Sequence, residues 1–359
     1  MANTTPTPSP AEQLEKDIRD VRWDIENFQK YVNLATLQDQ IEDLQTKIRG
    51  LSQRVINLRS VNYVFDKTLD GNVDDLIKKW QPINMNLKLK INQESQRLKN
   101  ELRPIETQIA QIVGSKQNIR LANQLLSTLK VNVDNLEDKI RATESTIRGL
   151  YNTFEQDFNK FNQHLTNLET SFKELGEASF NLLAHECLIM AVEATWTKDG
   201  REDKTDPKGN LFLTDQRLIF EQKEEVATKK VLFITTERKM VQELLFEIPI
   251  RYVEEVKATE LGVFKNKDFL DILFSTKATY QQVQVHLHGH DCGEWKAMIN
   301  KVLCGDYDKD RIKEIESEVI EKIKNAPTIC PNCNASIVHP VLRGMDHITC
   351  DYCGSTIKL

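Results

Sequence analysis

In the stretch Gly209-Asn210-Leu211-Phe212-Leu213-Thr214-Asp215-Gln216-Arg217-Leu218-Ile219-Phe220, two apolar runs flank the polar turn Thr214-Asp215-Gln216. The runs are short and bounded by turn-forming residues, which predicts strands over 211–213 and 217–222. Upstream, 187–196 is apolar and β-prone and leads into a polar loop over 198–208. Downstream, strands are predicted over 231–235, 243–248, 252–258, 269–275 and 282–288. Short strands joined by polar turns indicate a closed or nearly closed antiparallel sheet. Asp291 is placed to cap a helix carrying Trp295, Met298, Ile299, Val302 and Leu303 on one face, which would plug the end of that sheet. The unit is expected to span 178–304.

Upstream of Gly176 the period changes. Apolar residues recur at Leu14, Ile18, Val21, Ile25, Phe28 and Val32, then at Leu37, Ile41, Leu44, Ile48, Leu51, Val55 and Leu58. The steps average about 3.5 residues, the period of a helical seam in a left-handed supercoil. Residues 11–176 are therefore expected to form a long α-helical coiled-coil region. It should have a phase slip between Val32 and Leu37, a reversal at Asp70-Gly71, Pro82 in a first turn, and a kink or restart at Pro104 or Gly114-Ser115. A helix over 14–65 would run about 75 Å and an unbroken return over 73–175 about twice that, so the first cannot cover the second. Either the long arm folds again near 104–115 into a three-helix antiparallel bundle, or its uncovered half pairs with another chain. The expectation is self-association into a homo-oligomer. Residues 1–10, rich in Thr, Pro and Ser, are expected to be a disordered tail.

The 209–220 hairpin resembles the signature of GRAM domains, which have the pleckstrin-homology (PH)-like fold: a Gly, an apolar strand, a Thr-x-x-Arg turn and an apolar strand ending in Phe. Phe246-Glu247-Ile248-Pro249-Ile250, followed by Val253 and Val256, is similar to that family's apolar-Pro strand. The resemblance implies a partly open seven-stranded β-barrel with a C-terminal helix, used for lipid or protein binding and not for catalysis. In lipid-binding relatives of this fold the long loop before the hairpin often carries basic residues. Here Lys198, Arg201, Lys204 and Lys208 are interleaved with Asp199, Glu202, Asp203 and Asp206, and Lys223, Lys229 and Lys230 with Glu221, Glu224 and Glu225. That balance argues against tight capture of an inositol phosphate.

The strongest chemical signal is Cys330-Pro-Asn-Cys333 followed by Cys350-Asp-Tyr-Cys353. Two such pairs on short hairpins let four thiolates meet tetrahedrally around one structural Zn²⁺ per chain. They resemble the knuckles of a zinc ribbon, with Asn334 where Gly is usual. The ribbon is expected over 327–359, after a linker helix over 305–326, with few contacts across 325–328. Its expected core is Ile337, Val338, Val341, Leu342, Ile348 and Ile357. A four-thiolate shell is closed and builds a fold, not a catalyst. His339 and His347 are expected on the surface. His286, His288 and His290 alternate on a predicted strand, and no carboxylate spacing there marks a metal site, so a solvated face is expected. Cys187, Cys292 and Cys304 show no spacing of their own and are expected to be small, partly buried thiols.

The 359 residues carry 48 Lys+Arg against 54 Asp+Glu, a net charge of -6, which provides no global attraction to nucleic acid. After Pro327 the charges of Arg343, Asp346, Asp351 and Lys358 cancel, which counts against phosphate binding through the ribbon. No phosphate loop, Gly-rich dinucleotide turn or His-Glu-x-x-His helix occurs in the sequence. The expectation is a cytoplasmic, non-enzymatic scaffold or adaptor, with protein partners or peripheral membrane contact through the PH-like domain. A nucleic-acid-associated factor using the ribbon is the alternative.

Overall fold

The computed structural model describes residues 9–197, 202–231, 234–262 and 267–359. The tail expected over 1–10 lies outside these up to residue 8. Ser9 and Pro10 do not belong to it. Ser9 is the N-cap of α1 (Pro10–Tyr31) and shares a reciprocal capping box with Glu12, while Pro10 sits where a missing N–H costs nothing. Then follow α2 (Ala35–Ser60), α3 (Leu69–Gly114), α4 (Ile119–Gly149) and α5 (Asn152–Gly176). The chain divides into two compact units, Met1–Ser52 with Gly71–Asn162, and Gln53–Asp70 with Gln163–Leu359.

In the first unit the apolar seam is buried inside one chain. Leu14, Ile18 and Val21 of α1, Leu98, Leu102 and Ile105 of α3, and Leu129, Val133 and Leu136 of α4 are all at most 5% exposed. Polar pairs frame the seam: Gln29 to Glu106 (3.0 Å), Lys130 to Asp17 (2.8 Å) and Lys139 to Glu101 (2.6 Å). Elsewhere in the unit, Trp80 Nε1 donates to Gln45 (2.6 Å) and stacks on Phe154 at 5.1 Å. Of the two arrangements open to the sequence, this is the one in which the long arm folds again, and it does so at Gly114-Ser115.

Several local expectations are corrected. The slip before Leu37 is a true break between α1 and α2, closed by buried Leu34 in the left-handed region (φ 54°). Asp70 and Gly71 lie in the first turn of α3. The reversal before them uses the positive-φ residues Asn62 and Asp66. Pro82 is not in a first turn, and α3 continues through both Pro82 and Pro104. An interior proline costs about 3 kcal/mol, which burial of a few Leu and Ile side chains offsets. A break at Leu150-Tyr151 separates α4 from α5 where the sequence pattern ran on without interruption.

The second unit contains a seven-stranded antiparallel sheet: β1 (Leu188–Thr197), β2 (Lys208–Thr214), β3 (Arg217–Val231), β4 (Ile234–Pro249), β5 (Val253–Leu261), β6 (Lys267–Phe274) and β7 (Gln282–Leu287). The strand order is β4-β3-β2-β1-β7-β6-β5, so β4 and β5 are unpaired edges joined by a single 3-10 turn, Ile250–Tyr252. Helix α6 (Cys292–Leu303) is capped by Asp291, whose Oδ1 accepts from Glu294 N at 2.8 Å, and it packs fully buried Trp295 and Ile299 against β5 and β6. This is the partly open, helix-capped sheet that the hairpin resemblance implies. Of the two separate strands expected at 231–235 and 243–248, Val231 ends β3 and the described remainder lies in one strand, β4, paired along β3. Residues 232–233 fall outside the described set. The strand expected over 217–222 runs on through Lys223, Glu224 and Glu225, which pair with Gln242, Val241 and Met240 of β4. The single linker helix expected over 305–326 is two short helices, α7 (Asp306–Lys309) and α8 (Ser317–Lys324).

The signature hairpin has a steric and an electrostatic reason. A Cβ on Gly209 would lie 1.9 Å from the Glu221 carbonyl oxygen, so β2 and β3 can approach this closely only with Gly there. Thr214 Oγ1 accepts from the backbone N–H of Gln216 (3.0 Å) and Arg217 (2.7 Å) and donates to Glu186 Oε1 (2.6 Å). Arg217 reaches the same Glu186 carboxylate with Nε (2.9 Å) and Nη2 (2.6 Å), and also pairs with Glu247. The Arg217 and Glu186 side chains are 7% and 0% exposed. Removing one partner of a buried pair leaves an uncompensated charge, so Glu186→Ala is expected to lower unfolding stability by about 3–5 kcal/mol in a denaturant titration.

Candidate metal centre

Each cysteine pair is carried by the same local fold. In the first, Cys330 N donates to Ala335 O (2.8 Å) and Asn334 N to Cys330 O (2.9 Å). In the second, Cys350 N donates to Ser355 O (2.9 Å) and Gly354 N to Cys350 O (2.8 Å). The residue after each pair is left-handed, Asn334 at φ 56° and Gly354 at φ 71°, so Asn takes the conformation that Gly takes in the other knuckle. A bridge between Ile329 and Ser336 closes the first knuckle, and the short strands β8 (His347–Thr349) and β9 (Thr356–Lys358) close the second.

The two knuckles bring four thiols together, with every sulfur within 4.8 Å of the others. Cys330 and Cys353 sulfurs are 3.7 Å apart, and those of Cys333 and Cys350 3.6 Å. These separations exclude disulfides, whose S–S bond is about 2.05 Å. They match the edge of a tetrahedron built on Zn–S bonds of about 2.3 Å, which is roughly 3.8 Å. Ser355 donates to Cys353 from its side chain and backbone, and together with the other thiols this outweighs desolvation and lowers the Cys353 pKa to about 6. Cys333 gains from the Ala335 backbone hydrogen bond, yet desolvation and the competing thiols push it up to about 12. A bound cation removes this conflict.

Beneath the thiols, Cys330, Ile348, Cys350 and Ile357 form a small core, with Ala335, Ile337, Val341, Met345 and Leu359 against it. Leu342 is buried, whereas Val338, expected in this core, is 39% exposed. His347 is exposed on β8. His339 pairs with Asp351 (2.9 Å) and lies 3.5 Å from the Tyr252 hydroxyl, outside the thiol set.

Sequence reading missed how strongly this module is tied to the sheet. Arg343 and Arg311 both pair with Asp215 Oδ2, while Asp215 Oδ1 accepts from Cys187 N at 3.0 Å. Gln216 exchanges two hydrogen bonds with the Arg343 backbone, one of them Nε2 to O at 3.1 Å. Arg311 also lies over the Phe65 ring at 4.9 Å. A Cβ on Gly344 (φ 84°) would sit 2.0 Å from Ala184 O. The signal was in the hairpin: of the four turn residues Thr214-Asp215-Gln216-Arg217, the middle two were read as turn-formers, and they hold the ribbon.

A second group of ligand atoms lies on the sheet, where Glu202 joins His286 and His288 within 4.8 Å. The solvated strand face expected for His286, His288 and His290 does not hold: His286 is 7% exposed and stacks on Phe269 at 4.7 Å, while His288 and His290 are half-buried beyond the end of β7. Cys187 and Cys292 are buried and Cys304 is exposed. Of the basic loop residues weighed above, Lys198 and Arg201 and the side chains of Lys229 and Lys230 lie outside the described set.

No protein-family model and no curated protein sequence matches this chain. Among solved structures, it is similar to the Vps36 N-terminal PH domain (16% identity, 35% of this chain and 85% of that one, TM-score 0.25). A pleckstrin-homology protein of the DUF1696 family from Shewanella loihica PV-4 gives 15% identity over 36% and 88%, TM-score 0.21. The DH/PH domains of PDZ-RhoGEF, in a complex with GTP-gamma-S activated RhoA, give 11% identity over 83% and 96%, TM-score 0.22.

Asp215→Ala removes the buried carboxylate that Arg311 and Arg343 share and leaves them only the more exposed Asp308. It is expected to destabilise this unit by about 3 kcal/mol or more and to speed proteolytic nicking within 325–328, read by mass spectrometry of timed digests.

Proposed function

We propose that this chain is a non-enzymatic adaptor whose helix-capped sheet and docked ribbon act as one rigid recognition body, with a structural Zn²⁺ at Cys330, Cys333, Cys350 and Cys353. The observation that carries this reading is the thiol set at tetrahedral-edge spacing, attached through Asp215 and Gln216 to the turn of the signature hairpin. Four thiolates fill the coordination shell, so the ion supplies folding energy and no open position for a substrate. The sheet presents its loops and its unpaired β4 and β5 edges to a protein or membrane surface. No helix among the described residues is long and apolar enough to cross a membrane, so contact with a bilayer would be peripheral. Self-association would have to use a face other than the seam, because the seam is filled within the chain.

Structural zinc contributes on the order of 10 kcal/mol or more near neutral pH. One tightly held equivalent at these four cysteines is expected by elemental analysis, and Cys350→Ser should lower the zinc content by one equivalent per chain. Because the ribbon is docked, that variant should also lower the melting temperature of the sheet. A zinc content that is unchanged in Cys350→Ser after metal-replete expression overturns the zinc assignment.

The adaptor reading is tested by cosedimentation of the full chain with phosphatidylcholine/phosphatidylserine vesicles, by titration with soluble inositol phosphates and by sedimentation velocity. Weak, salt-sensitive vesicle binding or a defined protein complex supports it. Sub-micromolar capture of one inositol phosphate, or salt-dependent retention on DNA or RNA, overturns it.

A further inference from the structure

His286 lies in β7 and His288 one residue beyond its end, and the two rings meet edge to face. Their ring centroids are 4.4 Å apart. The loop entering β2 brings Glu202 to them, with Oε2 3.0 Å from His286 Nδ1. One ligand atom from each of the three lies within 4.8 Å of the other two. From this cluster the geometry points to a second metal site on the sheet, formed by Glu202, His286 and His288 and taking a borderline first-row cation such as Zn²⁺. It is independent of the ribbon and of the adaptor reading.

The donor set decides the class of ion. Two imidazoles and one carboxylate suit Zn²⁺, Cu²⁺ or Ni²⁺ far better than Mg²⁺ or Ca²⁺, which favour all-oxygen shells. Three protein ligands leave a position for water, unlike the closed set of thiols in the ribbon.

The rings are also oriented as ligands require. Phe269 stacks on His286 at an interplanar angle of 16°, and Thr195 Oγ1 lies 2.9 Å from His288 Nε2, the kind of outer partner that fixes a ligating imidazole. Burial, and then the neighbouring His288, lower the pKa of His286, which favours the neutral ring. Lys208 and Lys267 approach Glu202 at 3.8 and 3.6 Å with side chains 46% and 47% exposed. They neutralise the carboxylate without a metal and are free to swing into solvent when a cation replaces them.

The test uses the full chain and Zn²⁺ as the probe, with Co²⁺ as its spectroscopic substitute. Two equivalents are expected in the wild type and one in Glu202→Gln and in His288→Ala. Cys350→Ser should retain the sheet equivalent, so failure at the ribbon and failure here are read separately. On Co²⁺ titration, the ribbon equivalent should develop a thiolate-to-cobalt charge-transfer band. The sheet equivalent should add weak visible absorption only, and that increment should vanish in His288→Ala while the charge-transfer band stays. Thr195→Val should weaken the sheet equivalent roughly tenfold. A wild type with no equivalent beyond the one lost in Cys350→Ser, or a second equivalent that survives both Glu202→Gln and His288→Ala, overturns the site.

Discussion

The carboxylate of Asp215 holds three parts of the second unit together. It receives Arg311 from the connection after α7, Arg343 from the ribbon, and the backbone N–H of Cys187 at the mouth of β1. Its side chain is 2% exposed, so its charge is stable only while those donors are present. Thr214 and Arg217 on either side of it secure Glu186, itself fully buried. The hairpin turn is thus a polar knot inside an apolar sheet, and burial of Leu211, Phe212, Leu218 and Ile219 alone would not specify where the ribbon goes. Apolar burial supplies most of the driving force, whereas these oriented charges select one arrangement among many.

The metal centre and the sheet are coupled through that knot. The thiols are held by two equivalent knuckles over a core of only a few apolar side chains. A module of this size cannot hold its fold by burial alone. Docking onto Gln216 and Asp215 adds contacts that a free ribbon lacks, and the ribbon in turn keeps Arg343 in place for Asp215. Thiol cluster, ribbon and hairpin are therefore mutually supporting.

Much of this was legible in the sequence. The two Cys-x-x-Cys pairs specified the thiol cluster, since spacing alone confines two sulfurs to one knuckle. The Thr-x-x-Arg hairpin and the Asp291 cap specified the helix-capped sheet, and a seam of about 3.5-residue period specified helices that must face helices. What the seam could not say was whose helix it faced, because an apolar stripe records a partner and not its origin. The break at Leu34 was only a phase slip in sequence, since a left-handed leucine has no compositional mark. The long β3–β4 ribbon was hidden because its residues are charged on both faces. Glu202 joins His286 and His288 only through tertiary folding, 84 residues away from the first of them.

The second unit is also discontinuous along the chain, assembled from Gln53–Asp70 and Gln163–Leu359. Val64 O accepts from Ile312 N at 2.8 Å, Phe65 packs edge-on against Tyr307 at 5.2 Å, and Lys67 donates to Lys309 O at 3.3 Å. During synthesis the segment after α2 therefore emerges nearly 250 residues before the strand of chain that completes its hydrogen bonds, and at about 5–20 residues per second it waits on the order of ten seconds or more. The N-terminal helices can pair sooner, since α4 supplies Lys130 to Asp17 of α1 after 113 residues. The loop at 61–68 cannot, and it carries Tyr63, Val64 and Phe65, all buried in the finished fold, as exposed apolar surface throughout that interval. Vectorial synthesis thus leaves this loop open to other chains until its C-terminal partners emerge.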